Sequence, residues 1–79
     1  MGKISKTEQL FRTLPADVQY DIDMQLYDEF NNYHIYVNNE IFNGRLPQKE
    51  RTYLNRAETA RKRELTERWL KENERIHNN

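Results

Sequence analysis

The side chains that could do chemistry are few in this chain. There is no cysteine, which removes thiolate nucleophiles, disulfides and thiolate metal sites together. The two histidines, His34 and His77, stand far apart in the sequence and make no metal site without carboxylates supplied by the fold. The one serine, Ser5, precedes Glu8 by three positions, the spacing of a helix-capping pair. With only Gly2 and Gly44, no glycine-rich loop is available to cradle a phosphate. Asp17, Asp21 and Asp28 share one edge of a helix, and paired carboxylates can move protons or hold a hard cation. On an exposed edge they are expected to pair with arginines of a neighbouring helix instead. The expectation is therefore no enzyme, no cofactor and no metal, but a protein that acts by binding another macromolecule.

Two surfaces suit that role. Tyr20, Tyr27 and His34 recur every seven residues with Met24 between them, forming an aromatic strip beside Asp21 and Asp28. Tyrosine offers large apolar area with little rotamer entropy to lose, so such a strip can anchor a partner, although core packing or a dimer interface explains it equally well. The second surface is basic: Arg56, Arg61, Lys62, Arg63, Arg68 and Arg75, a candidate face for nucleic acid. Its stretch Asn55-Arg56-Ala57-Glu58-Thr59-Ala60-Arg61-Lys62-Arg63 resembles the DNA-contact region of basic leucine zippers. It departs from that pattern at Glu58, where the family has a small residue, and no leucine heptad follows: seven from Leu65 is Glu72. Ile41-Phe42-Asn43-Gly44-Arg45-Leu46-Pro47, following Phe30-Asn31, resembles the stretch before the catalytic helix of SprT-type zinc proteases. The His-Glu-x-x-His helix that such activity needs is absent here.

Charge is divided between the halves of the chain. Residues 1–42 hold three Lys/Arg against seven Asp/Glu, and residues 43–79 hold ten Lys/Arg against six Glu, for a net charge of zero. Two antiparallel helices of opposite charge account for this more simply than a nucleic-acid face, since glutamates interleave with the basic residues.

The elements that must position these residues are helices. Ser5 and Glu8 predict a short first helix, Lys6 to Leu14. Pro15 suits the first turn of a second, and Asp17 suits the positive end of its dipole. Val18, Ile22, Leu26, Phe30, Tyr33, Val37 and Ile41 then recur at helical spacing, and Asn43-Gly44 supplies a stop. Asn31-Asn32 and the crowded Tyr33 to Val37 predict a kink. Leu46-Pro47 opens a third helix running to about Arg75, with Glu58→Lys62, Glu64→Arg68 and Glu67→Lys71 as i,i+4 pairs.

At 100° per residue the apolar stripe of the second helix covers roughly 140°, and aromatic residues extend it to roughly 260°. One neighbouring helix covers about 100°, so this helix wants more than one partner. The sequence thus predicts an all-α protein, a short N-terminal helix followed by a long antiparallel hairpin, folding as one unit over 1–79 with frayed tails at 1–5 and 77–79, and dimerising. No membrane span or secretory signal is visible, so a complete cytoplasmic chain is expected. The expected function is a protein–protein interaction module: a small inhibitor or adaptor, or a phage- or plasmid-type regulator such as an antirepressor, by analogy with other small cofactor-free chains. A small DNA-binding regulator using the basic third helix is the alternative.

Overall fold

The structure, a computed structural model, describes residues 4–77, with side chains through Glu74. It consists of three helices, α1 (Lys6–Phe11), α2 (Ala16–Phe42) and α3 (Lys49–His77), with no strand among the described residues. Of the tails expected to fray, residues 1–3 and 78–79 lie outside the described residues, Ser5 is a cap and His77 is the last residue of α3.

Local chemistry sets the helix ends. The Ser5 hydroxyl accepts the Glu8 backbone N–H at 3.1 Å and so starts α1. The expected capping box is only half made, because the Glu8 carboxylate turns instead to Lys62, 2.8 Å away on α3. α1 ends at Phe11 rather than Leu14. Proline disfavours helical geometry in the residue before it, and Leu14 precedes Pro15. The Thr13 hydroxyl and the Leu14 N–H close the turn on the Leu10 and Phe11 carbonyls, at 2.6 and 3.1 Å.

Pro15 is extended at the N-cap of α2, one position earlier than the first turn the sequence suggested. The Gln19 side-chain amide reaches back to the Leu14 carbonyl at 2.8 Å. α2 then runs unbroken through Asn31-Asn32 to Phe42, where the sequence predicted a kink. Gly44, at φ +74°, ends it with paired bonds: its N–H donates to Ile41 at 3.0 Å and the Arg45 N–H to Glu40 at 2.8 Å. α3 begins two residues beyond Pro47.

The core is gathered at one end of the molecule. Phe11, Leu14, Ile22, Leu26 and Leu65 are buried together, flanked by Val18, Phe30, Trp69 and Leu70. There α1 packs against α3, while α2 and α3 form the long antiparallel pair. Thr66 is the most deeply buried residue, and its hydroxyl is satisfied by the Lys62 carbonyl at 2.8 Å. From Tyr27 to Glu64 no residue is buried, so the far half is a bare two-helix arm. The shape follows: 55 × 29 × 17 Å, with a radius of gyration of 15.5 Å. A compact chain of this length would have a radius near about 11.6 Å.

Candidate protein-interaction surface

The aromatic strip lies outside the core. Tyr20, Met24 and Tyr27 are 65%, 43% and 58% exposed, and Asp21 and Asp28 beside them are exposed as well. Tyr20, Met24 and Asp28 fall on the side of α2 turned away from α3, as the 100° step requires, while Tyr27 borders the cleft beside α1 and Asp21 the groove lined by Leu65, Arg68 and Trp69 of α3. The same step places Asp17, Ile35 and Phe42 there too, Phe42 being almost wholly exposed. Ile35 and Phe42 were not singled out in the sequence, because they fall outside the seven-residue series that marks Tyr20, Tyr27 and His34. In the arm nothing covers them.

His34, the third member of the seven-residue series, behaves differently. It is half-buried, with Nε2 3.0 Å from a carboxylate oxygen of Glu58 on α3. The bond ties the two long helices together, so His34 serves the hairpin rather than the exposed strip.

The ion pairs between helices are not the expected ones. Asp17, Asp21 and Asp28 make no ion pair among the described residues. Instead Glu29 receives Arg61 through two parallel bonds, Nε at 2.9 Å and Nη2 at 3.0 Å. This Arg61 fork, helped by the Gln25 amide at 3.1 Å, holds the Glu29 carboxyl below its ordinary range. Glu40 meets Arg45 at 3.0 Å across the helix stop. α2 contains six acidic residues and no Lys or Arg, so its outward edge is left as an uncompensated strip of aspartates.

The basic candidates are dispersed. Arg61 is committed to Glu29 and bonds Glu64 as well. Lys62 is committed to Glu8, and its ammonium also lies 3.9 Å over the Phe11 ring, a cation–π contact at the edge of the core. The hydrogen bond from its ammonium is the first cause holding the Glu8 carboxyl below the ordinary value. Arg63 pairs with Glu67 at 2.8 Å, and Arg68 stands 4.0 Å from Glu64. Arg56 is exposed and makes no ion pair among the described residues. The side chain of Arg75 lies outside them. Of the three pairs expected along α3, only Glu64–Arg68 appears among the described residues; Glu58 and Lys62 have each found a partner on another helix.

A polar cleft between α1 and the hairpin, lined by Glu8, Asp23, Tyr27, Glu58 and Lys62, has its lysine already neutralised by Glu8. No group of three His, Asp or Glu side chains among the described residues is placed to hold a metal ion. No helix of the described residues is long and apolar enough to cross a membrane. The feature that stands out is an acidic, aromatic, solvent-facing helix edge. No family model matches this chain, and neither a curated protein nor a solved structure similar to it was found.

Proposed function

We propose that this protein is a non-catalytic protein-binding module that docks a basic partner on the outward face of α2. One observation carries the reading: Tyr20, Met24 and Tyr27 stand exposed in a row between aspartates that no cation of this chain pairs among the described residues. Large aromatic anchors supply affinity, and a one-sign charge strip steers an oppositely charged partner toward them. An inhibitor or adaptor that sequesters a basic protein fits this surface. Proteins that bind nucleic acid present such basic faces, so a repressor masked by an antirepressor belongs to the class. The module acts as a dimer, its own interface lying elsewhere on the hairpin.

Tyr27→Ala tests the reading. The partner retained by the immobilised wild-type chain from extracts of its host is expected to be lost with the variant. The thermal midpoint is expected to stay nearly unchanged, as for an exposed side chain away from packing. A fall in midpoint in step with the loss of binding would assign Tyr27 to structure instead. Affinity for a defined DNA duplex that drops steeply with salt would favour the basic face of α3.

A further inference from the structure

We propose that the flank of the hairpin opposite α1 binds a second copy of this chain, closing a four-helix bundle in which α2 of each protomer lies on α3 of its partner. The inference rests on the dimer reading above, and the surface it names meets the outward α2 strip only at Asp21.

Two consecutive residues define the flanks. Side chains of neighbours on a helix diverge by 100°, and Arg61 reaches Glu29 of α2 whereas Lys62 reaches Glu8 of α1. α1 therefore covers the Lys62 side and leaves the Arg61–Glu29 side open. Tyr33 and Tyr36, four and seven residues after Glu29, fall on the open flank within roughly 40° of it. Ala57 and Leu54, four and seven residues before Arg61, fall on the same flank of α3. At the other end the flank continues as a shallow groove whose floor of Val18, Ile22, Leu65 and Trp69 is edged by Asp21, Gln25, Arg68 and Glu72. One side of the hairpin thus carries apolar side chains along its length, interleaved with charged ones. Yet Tyr33 and Tyr36 are 61% and 59% exposed, and no residue of the arm is buried.

The surface area calls for a partner of matching size. The chain exposes 6378 Å² at 9.7 kDa. A compact monomer of that mass exposes about 5,100 Å². The surplus of roughly 1,200 Å² exceeds the approximately 800 Å² that each partner buries in an ordinary stable interface. A second copy removes it symmetrically.

Charge chooses the orientation. α2 has six acidic residues and no basic one, and α3 has nine basic residues against six acidic. With the two-fold axis along the hairpin, α2 meets the partner's α3, opposite charges face each other, and all neighbouring helices run antiparallel. With the axis across the hairpin, α2 would stack on α2 and repel. Since α1 occupies the opposite flank, it does not obstruct the first arrangement, and the two hairpin tips come to the same end.

Sedimentation equilibrium of the full chain is expected to give the dimer mass. Tyr33→Arg/Tyr36→Arg is expected to give a monomer with helical content retained, whereas Tyr20→Arg/Tyr27→Arg remains dimeric. Should the first variant lose helix, Ala57→Glu on the facing helix is read in its place. Because the chain has no cysteine, Asn43→Cys at the tip reports orientation cleanly, and a short bismaleimide is expected to join the two tips. A wild-type chain that stays monomeric at every concentration overturns the proposal. So does a dimer that survives both Tyr33→Arg/Tyr36→Arg and Ala57→Glu, or one whose tips cannot be joined.

Discussion

The two ends of this molecule are built from the same long helices but differ in what holds them. At the end where α1 joins, three helices enclose Phe11, Leu14, Ile22, Leu26 and Leu65. Toward the tip only two remain, and two helices in contact leave most of each surface open to water. Phe30 and Tyr33, with ring centroids 6.3 Å apart, mark the transition, Phe30 half-buried and Tyr33 exposed. A helix of only six residues, α1, thus decides which half of a 27-residue helix has an interior. The arm is held instead by polar ties, His34–Glu58, Arg51–Asn38 and Arg61–Glu29. Solvated ties of this kind contribute little to stability.

The largest expected effect tests that contrast directly. Phe11→Ala is expected to cost about 3–5 kcal/mol, the range for deleting a buried aromatic ring. Phe30→Ala, at the half-buried boundary, is expected to cost roughly half as much, in proportion to the apolar area it loses. Urea unfolding of both variants, at dilutions where the wild type is monomeric, makes the comparison. Equal losses would mean that the arm is packed as tightly as the three-helix end. Hydrogen exchange sharpens the same contrast. In the monomer, amides of residues 30–56 are expected to exchange well before those near Ile22 and Leu65, because little apolar burial opposes local opening of the arm.

The sequence showed what is decided locally and obscured what is decided across the chain. Ser5, Pro15, Asn43-Gly44 and Pro47 marked the three helices to within a few residues, because caps and stops act on their own neighbours. The helix expected to be weak at Asn31-Asn32 is not interrupted there: two asparagines weaken a helix by less than its interior bonds and its packing on α3 support it. Ion-pair partners were harder to read. Glu58 and Lys62 have ideal spacing along one helix, but the fold brings His34 and Glu8 within reach, and spacing alone does not rank them. Thr66, a polar residue at the centre of the packing, gave no signal, because its hydroxyl is satisfied by its own helix. Tyr20, Met24 and Tyr27 were visible as a strip from their spacing. That they are exposed depends on α1 settling on α3 rather than along the outer face of α2.

A smaller effect is expected at the tip. Gly44 sits at φ +74°, and a Cβ added there meets nothing within 4 Å. Gly44→Ala therefore imposes only backbone strain, about 1–2 kcal/mol for an L-residue held left-handed. Because the turn joins two weakly packed helix ends, the loss is expected to appear first as faster exchange of amides near residues 40–50. A uniform acceleration that includes the three-helix end would show the molecule opening as one unit, and the contrast between its halves would fail.

The smallest expected effect is on pH dependence, and it again separates the two regions. Lys62 holds the Glu8 carboxyl, and Arg61 the Glu29 carboxyl, below the ordinary value of 4.5. A carboxyl whose pKa is lower in the folded than in the unfolded chain stabilises the fold above its unfolded pKa. That contribution is lost as pH falls through the folded pKa. The thermal midpoint is therefore expected to be level near neutrality and to decline once pH drops beneath about 4.5. Both carboxylates are partly solvated, so the amplitude is small, as for surface pairs in general. Glu8→Gln removes a tie between α1 and α3, and Glu29→Gln removes one at the foot of the arm. Glu8→Gln is expected to flatten the acid decline of the midpoint more, since α1 completes the core on which global unfolding depends. Glu29→Gln is expected to act on arm exchange rather than on the midpoint. If the two variants exchanged these signatures, the arm and not the three-helix end would be setting the stability of the chain.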